Sequence, residues 1–181
     1  MKRFLAVGLF VVLGLSANVA CAQVSALWPG GTAMAQIGKP APDFNLPQLQ
    51  NGALGEKLAL SSLRGHPVIV NFWATWCAPC RAEFPAFQAK YEKYRDSLGL
   101  AVLAIQVQDD EGAEVAQKFV DDTKVTFTIL RDVNDSVTGS YQIRGLPTTI
   151  LIDRNGIVRD MILGGPQTEE ALELKITTLL K

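Results

Sequence analysis

The sequence is poor in histidine and cysteine. Its 181 residues include one histidine, His66, and three cysteines, two of which, Cys77 and Cys80, are separated by only two residues. A structural zinc site is four-coordinate and is built mainly from these two residue types. Beyond the Cys77–Cys80 pair the chain offers only His66 and Cys21, which lies near its start. A closed zinc site within one chain is therefore not expected.

The sequence also lacks an excess of charge of either sign. Its 17 basic and 18 acidic residues give a formal net charge of -1, which argues against a nucleic-acid-binding protein that uses a basic surface. It contains no glycine-rich phosphate-binding loop, serine nucleophile elbow or metal-binding triad, and no internal repeat. With 48% apolar residues, the chain can form one domain with a sizeable core.

An apolar run long enough to cross a membrane is missing from the start of the chain. The run Phe4–Leu15 has 12 residues, whereas a transmembrane helix needs about 20. It follows Lys2-Arg3 and precedes Ala20-Cys21-Ala22, which has the form of a signal-peptide cleavage site. We therefore predict a signal peptide over residues 1–22 and export to the periplasm or the extracytoplasmic face of the membrane, where disulfides persist. An uncleaved membrane anchor and lipidation at Cys21 are the alternatives.

The remaining chain divides into a predicted flexible linker, residues 23–36, and a domain, residues 37–181. The linker contains Pro29-Gly30-Gly31 and has no sustained period. In the domain, apolar runs alternate with stretches of helical period, which predicts an α/β fold with a central mixed sheet flanked by helices. The predicted elements are strand 68–73, helix 77–98, strand 100–107, helix 111–122, strand 125–130, a short helix 133–141, a hairpin 148–163 and a last helix from residue 168.

The segment before residue 68 predicts an N-terminal β extension. Pro40, Pro42 and Pro47 limit any strand around Asp43-Phe44 to a short one at the sheet edge, because proline lacks the N–H group that a central strand needs. Leu58–Leu60 forms a second predicted short strand.

Cys77 and Cys80 have three ordinary explanations: half of a zinc site, a structural disulfide or a catalytic dithiol. A structural disulfide that closes so short a loop removes little chain entropy. The setting favours a catalytic dithiol, because Cys77 lies where the predicted helix begins and the helix N-terminus stabilises a thiolate. Pro79 is tolerated in the first helical turn. We therefore predict that Cys77 is the exposed nucleophile and that Cys80 resolves the mixed disulfide.

Glu83 follows Cys80 by three residues, so the two side chains can share one helix face. A carboxylate there could carry protons to or from Cys80, and its charge would raise the pKa of nearby thiols. A solvated helix residue is the alternative interpretation.

The active-site segment is similar to that of thioredoxin-fold proteins, and most of all to the exported TlpA/ResA-like thiol–disulfide oxidoreductases. The resemblance covers residues 37–181, and its most specific part is the WCxPC core. Its motifs are Phe72-Trp73-Ala74-Thr75-Trp76-Cys77-Ala78-Pro79-Cys80, Ala41-Pro42-Asp43-Phe44, Leu60-Ser61-Ser62-Leu63-Arg64-Gly65, Arg81-Ala82-Glu83-Phe84-Pro85 and Gly145-Leu146-Pro147-Thr148-Thr149.

The resemblance implies several roles that the residues alone do not. Pro147 would be a cis-proline beside the dithiol, with Leu146 next to it in contact with the substrate chain, and Glu83 would be a functional buried acid. Trp76, which precedes Cys77, and Ala78 and Pro79, which lie between the two cysteines, would also contact the substrate. The chain departs from thioredoxin at Asn71, where thioredoxin has a buried Asp, and this leaves Glu83 as the local acid. The segment from about residue 111 to 130 would be the central α/β insertion of the family.

The predicted function is that of an exported thiol–disulfide oxidoreductase, a reductant rather than an oxidant, which acts on protein disulfides in the manner of cytochrome c maturation. Its expected partners are disulfide-containing proteins, with apocytochrome c as a candidate, and a membrane thiol reductase as electron donor; no cofactor or metal is expected. A peroxiredoxin-like thiol peroxidase is one alternative, although Thr75-Trp76-Cys77 matches the peroxidatic motif only superficially. A Cu(I) chaperone that uses Cys77 and Cys80 as soft ligands is the other.

Overall fold

The computed structural model describes residues 34–179. The predicted signal peptide with Cys21, most of the predicted linker and the last two residues lie outside this range. The described chain forms a seven-stranded sheet and four α-helices. In chain order these are β1 (Asn45–Gln50), β2 (Ala53–Ala59), a short 3-10 helix (Leu60–Leu63), β3 (Val68–Trp73), α1 (Ala78–Leu98), β4 (Ala101–Gln106), α2 (Ala113–Thr123), β5 (Thr128–Arg131), α3 (Ser136–Ser140), β6 (Thr148–Ile152), β7 (Val158–Leu163) and α4 (Glu169–Leu179).

The sheet is mixed, as predicted, and its strand order is β2-β1-β5-β4-β3-β6-β7. Strand β3 pairs in parallel with β4 and antiparallel with β6. All six of its residues are buried, which agrees with a run of consecutive apolar residues covered on both faces. The position of β3 matters for function, because the chain leaves its carboxyl end and passes directly into the two cysteines.

Helices cover both faces of the sheet. The apolar side chains of α1, α2 and α4 form one cluster with Ile69 and Trp73 of β3. The other face packs against α3 and the segment before β1, in a cluster that contains Val70, Phe72 and Tyr141. Alternate residues of β3 therefore enter opposite cores, as the pleat of a strand requires. In the described part of the chain, no helix is both long and apolar enough to cross a membrane.

The N-terminal β extension is present, but the prediction for its first strand was wrong. Strand β1 starts immediately after Asp43-Phe44 and is not at the edge, since it lies between β2 and β5. Pro47 is tolerated because the β1–β2 register shifts between Pro47 and Leu49 and the pairing with β5 is at Gln48–Leu130. The missing N–H group thus falls where the ladder is already interrupted. Strand β2 is longer than predicted and ends before Leu60.

Most other boundaries agree with the sequence to within a few residues. The hairpin of β6 and β7 is antiparallel, and the Thr168 side chain accepts a hydrogen bond from the Ala171 N–H at the start of α4. Strand β5 is shorter than predicted and begins at Thr128. The domain also includes Ala35, which is buried and donates its N–H to the Ser140 carbonyl.

Candidate active site

The two cysteines form a disulfide at the N-terminus of α1. Cys77 is the N-cap residue, with extended backbone angles, and a proline occupies the first turn. The Cα atoms of Cys77 and Cys80 are 5.3 Å apart, and the Cys80 N–H donates to the Cys77 sulfur over 3.2 Å. The same N–H group and the helix dipole would stabilise a thiolate on Cys77 after reduction.

Cys77 is less exposed than predicted. Only 3% of its surface is accessible, and Cys80 is completely buried. Both cysteines belong to the apolar cluster beneath α1, against which Leu146 also packs. The exposed side chains at this end of the molecule are instead Trp76, with 62% of its surface accessible, Ala78 and Pro79. A partner would therefore meet these residues first.

The loop that carries the cysteines is tied to the segment after β4. The Thr75 N–H donates to the Asp109 carboxylate over 2.5 Å, and the Trp76 indole N–H donates to the Gln108 carbonyl over 3.2 Å. The Gln106 side chain also donates to Asp109. Partial burial raises the pKa of Asp109, but the hydrogen bonds from Thr75 and Gln106 more than offset this, so the pKa is lowered overall. Asp109 is thus held as a carboxylate that fixes the active-site loop.

A shallow groove of about 310 Å³ runs from this loop along α2. Its walls include Thr75, Trp76 and the exposed side chain of Val115. The Arg81 guanidinium lies 4.0 Å from the centre of the Phe119 ring and pairs with Asp122. Arg81, for which the sequence predicts no role, therefore packs against the groove.

The Leu146–Pro147 peptide bond is cis, as the resemblance implied. Pro147 is buried and its carbonyl accepts a hydrogen bond from the Gly164 N–H over 2.8 Å. Leu146 is half-buried and contacts the cluster that contains both cysteines. The fold thus brings this turn to the same apolar cluster as the disulfide.

Glu83 is completely buried, which excludes the alternative of a solvated helix residue. Its Oε1 accepts a hydrogen bond from the Asn71 amide over 2.7 Å, and its Oε2 accepts one from the Gln167 N–H over 3.0 Å. Burial raises the pKa of Glu83 to about 7, although the hydrogen bonds from Gln167 and Asn71 lower it. A carboxyl group with this pKa can both accept and release a proton near neutral pH.

The residues around Glu83 could not be identified from helix period alone. Asn71 lies on β3, Thr149 on β6 and Gln167 in the loop before α4. One signal was present, because a polar side chain in the middle of a buried strand must find a hydrogen-bonding partner. Asn71 stands where thioredoxin has a buried Asp, which the comparison with thioredoxin treats as the loss of an acid. In the structure Asn71 donates a hydrogen bond to Glu83, the acid that this chain has.

A disulfide at the N-terminus of a helix that also carries a buried acid, three residues after Cys80, can exchange with another dithiol. Reduction gives two thiols, of which Cys77 has its thiolate stabilised by the helix, and Glu83 can take up or supply a proton. Among residues 34–179, no three His, Cys, Asp or Glu side chains lie close enough together to hold a metal ion.

Comparison with known proteins agrees with this chemistry. Residues 37–161 match the model of the AhpC/TSA family. The thiol-disulfide oxidoreductase ResA of Bacillus cereus is 38% identical over 138 residues, which cover 76% of this chain and 75% of ResA. The thioredoxin-like protein YneN of Bacillus subtilis is 37% identical over 142 residues, 78% of this chain and 79% of YneN.

The fold is shared with solved structures as well. The crystal structure of a Chlorobium tepidum protein, provisionally described as thiol:disulfide interchange protein DsbE, superposes with a TM-score of 0.72 at 34% identity. The match covers 81% of this chain and 99% of that one.

Fold and site together define a thioredoxin-fold thiol–disulfide oxidoreductase, and this chain is one. It belongs to the AhpC/TSA family, within the ResA/TlpA-like group of that fold. The predicted fold class, the resemblance and the enzyme class are thereby confirmed.

Proposed function

We propose that the protein is an exported reductant of protein disulfides. The observation that carries this proposal is the Cys77–Cys80 pair at the N-terminus of α1, with Glu83, a buried acid of near-neutral pKa, on the same helix. A reductant must deliver two electrons and manage two protons, and such an acid can take part in the proton transfer at neutral pH.

Export is supported by the sequence of residues 1–22, with its basic pair, its apolar run and its cleavage-site pattern. Outside the cytosol the dithiol needs a source of electrons, and a membrane thiol reductase is the proposed donor. The proposed substrates are disulfide-containing proteins, with apocytochrome c as the candidate that the ResA-like resemblance suggests. In this proposal Trp76, Ala78, Pro79 and Leu146 contact the substrate chain, beside Pro147.

The reduction potential tests the direction of the reaction. The protein is equilibrated with glutathione buffers of known ratio, and the reduced fraction is measured by thiol labelling. A reductant is expected to have a potential of about -270 mV, as thioredoxin does, whereas a value of about -120 mV is that of a strong oxidant. The second value would overturn the proposed direction while leaving the enzyme class intact.

The roles of the two cysteines are tested separately. We expect Cys77→Ser to abolish the acceleration that the protein gives to insulin reduction by dithiothreitol, because Cys77 has the helix-stabilised thiolate. We expect Cys80→Ser to accumulate a mixed disulfide between Cys77 and the substrate, because the resolving thiol is absent. Insulin reduction is measured by turbidity, and the mixed disulfide is measured by mass spectrometry. Turnover by Cys77→Ser at the wild-type rate would contradict the nucleophile assignment.

A thiol peroxidase is a second candidate, and the match to the AhpC/TSA family model favours it. In that reaction a cysteine thiolate attacks a peroxide and becomes a sulfenic acid, which the second cysteine converts to the disulfide. Consumption of hydrogen peroxide by the reduced protein, faster than insulin reduction and lost in Cys77→Ser, would favour this function over the proposed one.

A further inference from the structure

Asn71 has an unusual set of contacts for a buried amide. Its side chain is completely inaccessible, and its NH₂ group donates both to Oε1 of Glu83, over 2.7 Å, and to Oγ1 of Thr149, over 3.1 Å. Its carbonyl oxygen, Oδ1, is also buried and has no hydrogen-bonding partner among residues 34–179. A buried polar atom without a partner is uncommon in native proteins and calls for an explanation.

The contacts of Glu83 provide that explanation. Both of its oxygens accept hydrogen bonds, Oε1 from Asn71 and Oε2 from the backbone N–H of Gln167. This arrangement suits an ionised carboxylate, which only accepts. A protonated carboxyl group carries one O–H donor. Either the Asn71 NH₂ or the Gln167 N–H, which both donate to the carboxylate, would then point at this O–H group, and two donors cannot bond to each other.

Only one of these two neighbours can change from donor to acceptor. The Gln167 N–H belongs to the backbone and can only donate. Asn71 carries both an NH₂ group and a carbonyl oxygen, and a half-turn of its amide exchanges them. The Thr149 hydroxyl, which now accepts from Asn71, can rotate and donate instead. After the half-turn, Oδ1 would accept from Glu83 and from Thr149, and the NH₂ group would take the position that Oδ1 holds now.

We propose that Asn71 is a positioning residue whose side-chain amide turns over when Glu83 takes up a proton. In the ionised state the Asn71 NH₂ donates to Oε1. In the neutral state the proton lies on Oε1 and is donated to Oδ1 of Asn71, while Oε2 keeps its bond from Gln167. Oδ1 of Asn71 is thus the atom that accepts the hydrogen bond of the protonated Glu83. This inference rests on the proposed role of Glu83 in proton transfer to the dithiol.

The surroundings of Glu83 leave few other groups to respond. The causes that shift its pKa are burial and the contacts with Gln167 and Asn71, and no charged side chain is among them. Cys80 lies on the same helix and is held in the disulfide, so in the oxidised protein it does not titrate. Asn71 donates to Glu83 from the sheet and also contacts Thr149, and neither of these two residues is ionisable.

Nuclear magnetic resonance of the oxidised protein, labelled with ¹⁵N and ¹³C, tests the proposal. We expect the Asn71 side-chain amide signals to titrate with a midpoint near 7, the pKa of Glu83. A scalar coupling across the hydrogen bond from Asn71 Nδ2 to the Glu83 carboxyl carbon should be present above this midpoint and lost below it. A coupling that persists in the protonated state, or Asn71 signals that do not move, would overturn the proposal.

The chain provides an internal control and a matched variant. Gln106 is a second buried amide that donates to a carboxylate, Asp109, and its own oxygen also lacks a partner in the described part of the chain. The pKa of Asp109 is lowered, so Asp109 stays ionised between pH 6 and pH 8. The Gln106 amide signals should therefore stay constant over this range, which includes the pKa of Glu83 near 7. In Glu83→Gln the Asn71 signals should be independent of pH, and titration there would contradict the proposal. These measurements need no substrate. If the protein reduced no disulfide while the Asn71 signals still changed with pH, the reductase function would be refuted and the inference about Asn71 would stand.

Discussion

Glu83 is an acid that the fold keeps away from water and supplies with two hydrogen-bond donors. The ionised form loses hydration by burial, and the bonds from Asn71 and Gln167 compensate only in part, so the pKa rises from 4.5 to about 7. The folded protein thus binds a proton on Glu83 more tightly than the unfolded chain does. Such a difference couples the pH to folding stability.

We expect Glu83→Gln to remove a pH dependence of stability. The raised pKa of Glu83 contributes fully to the stability of the wild type below about pH 4.5, where the residue is protonated in the folded and the unfolded states. This stabilisation is lost as the pH rises through 7. A pKa difference of this size corresponds to about 3 kcal/mol. Relative to Glu83→Gln, the unfolding free energy of the wild type should fall by that order between pH 4 and pH 8, as measured by urea denaturation.

The same variant should change the reactivity of the reduced thiols. An ionised Glu83 disfavours a thiolate nearby, so its replacement by neutral glutamine should lower the apparent thiol pKa. We expect alkylation by iodoacetamide at pH 7 to become faster by roughly threefold to tenfold, which corresponds to about 0.5 to 1 pH unit. A pH–rate profile identical to that of the wild type would refute the role of Glu83 in proton transfer.

At the scale of elements, the active-site loop depends on a neighbour that is distant in sequence. The turn after β4 accepts the Thr75 N–H at Asp109 and the Trp76 indole N–H at Gln108. Gln108 has a positive φ of 52°, which aims its carbonyl while its own N–H bonds to Asp135. This turn therefore sets the position of the residues that precede Cys77.

We expect Asp109→Asn to destabilise the protein by about 1–3 kcal/mol at pH 7, since bonds to a charged acceptor are lost or weakened. The pKa of Asp109 is lowered in the folded state, so its contribution is present above the unfolded pKa and disappears as the pH falls through the folded value. The difference from the wild type, measured by denaturation, should therefore shrink as the pH falls below 3.8, the ordinary pKa of this carboxyl group. Asp110→Asn, at an exposed neighbour, is the matched control and should change stability by less than about 0.5 kcal/mol.

The strand–helix unit that carries the dithiol could be predicted because local chemistry determines it. The apolar run of β3, the proline in the first turn and the apolar stripe of α1 all depend on residues close in sequence. The partners of Glu83 and Thr75 could not, because Gln167 and Asp109 are brought there by the packing of other elements. The exposure of Cys77 was predicted wrongly for the same reason, since the apolar cluster that buries it includes residues from several elements.

At the scale of the whole molecule, the sheet separates two cores, and the disulfide belongs to one of them. The cluster beneath α1 contains both cysteines together with side chains from α2 and α4. On the opposite face the Tyr141 hydroxyl donates to the Pro42 carbonyl over 2.6 Å and fixes the segment before β1. A change in the redox state of the dithiol is therefore a change inside a packed core, and the folding free energy should report it.

We expect the oxidised protein to be more stable than the reduced protein. In a thermodynamic cycle, a fold that favours its disulfide makes the dithiol more reducing than the same pair in the unfolded chain. Each 30 mV of that difference corresponds to about 1.4 kcal/mol of stability. Urea denaturation of both forms, with the potential measured on the same samples, checks the size of the effect. Cys80→Ala cannot form the disulfide, so adding dithiothreitol should leave its stability unchanged. A reduced form more stable than the oxidised one would make the protein an oxidant, because folding would then favour the dithiol.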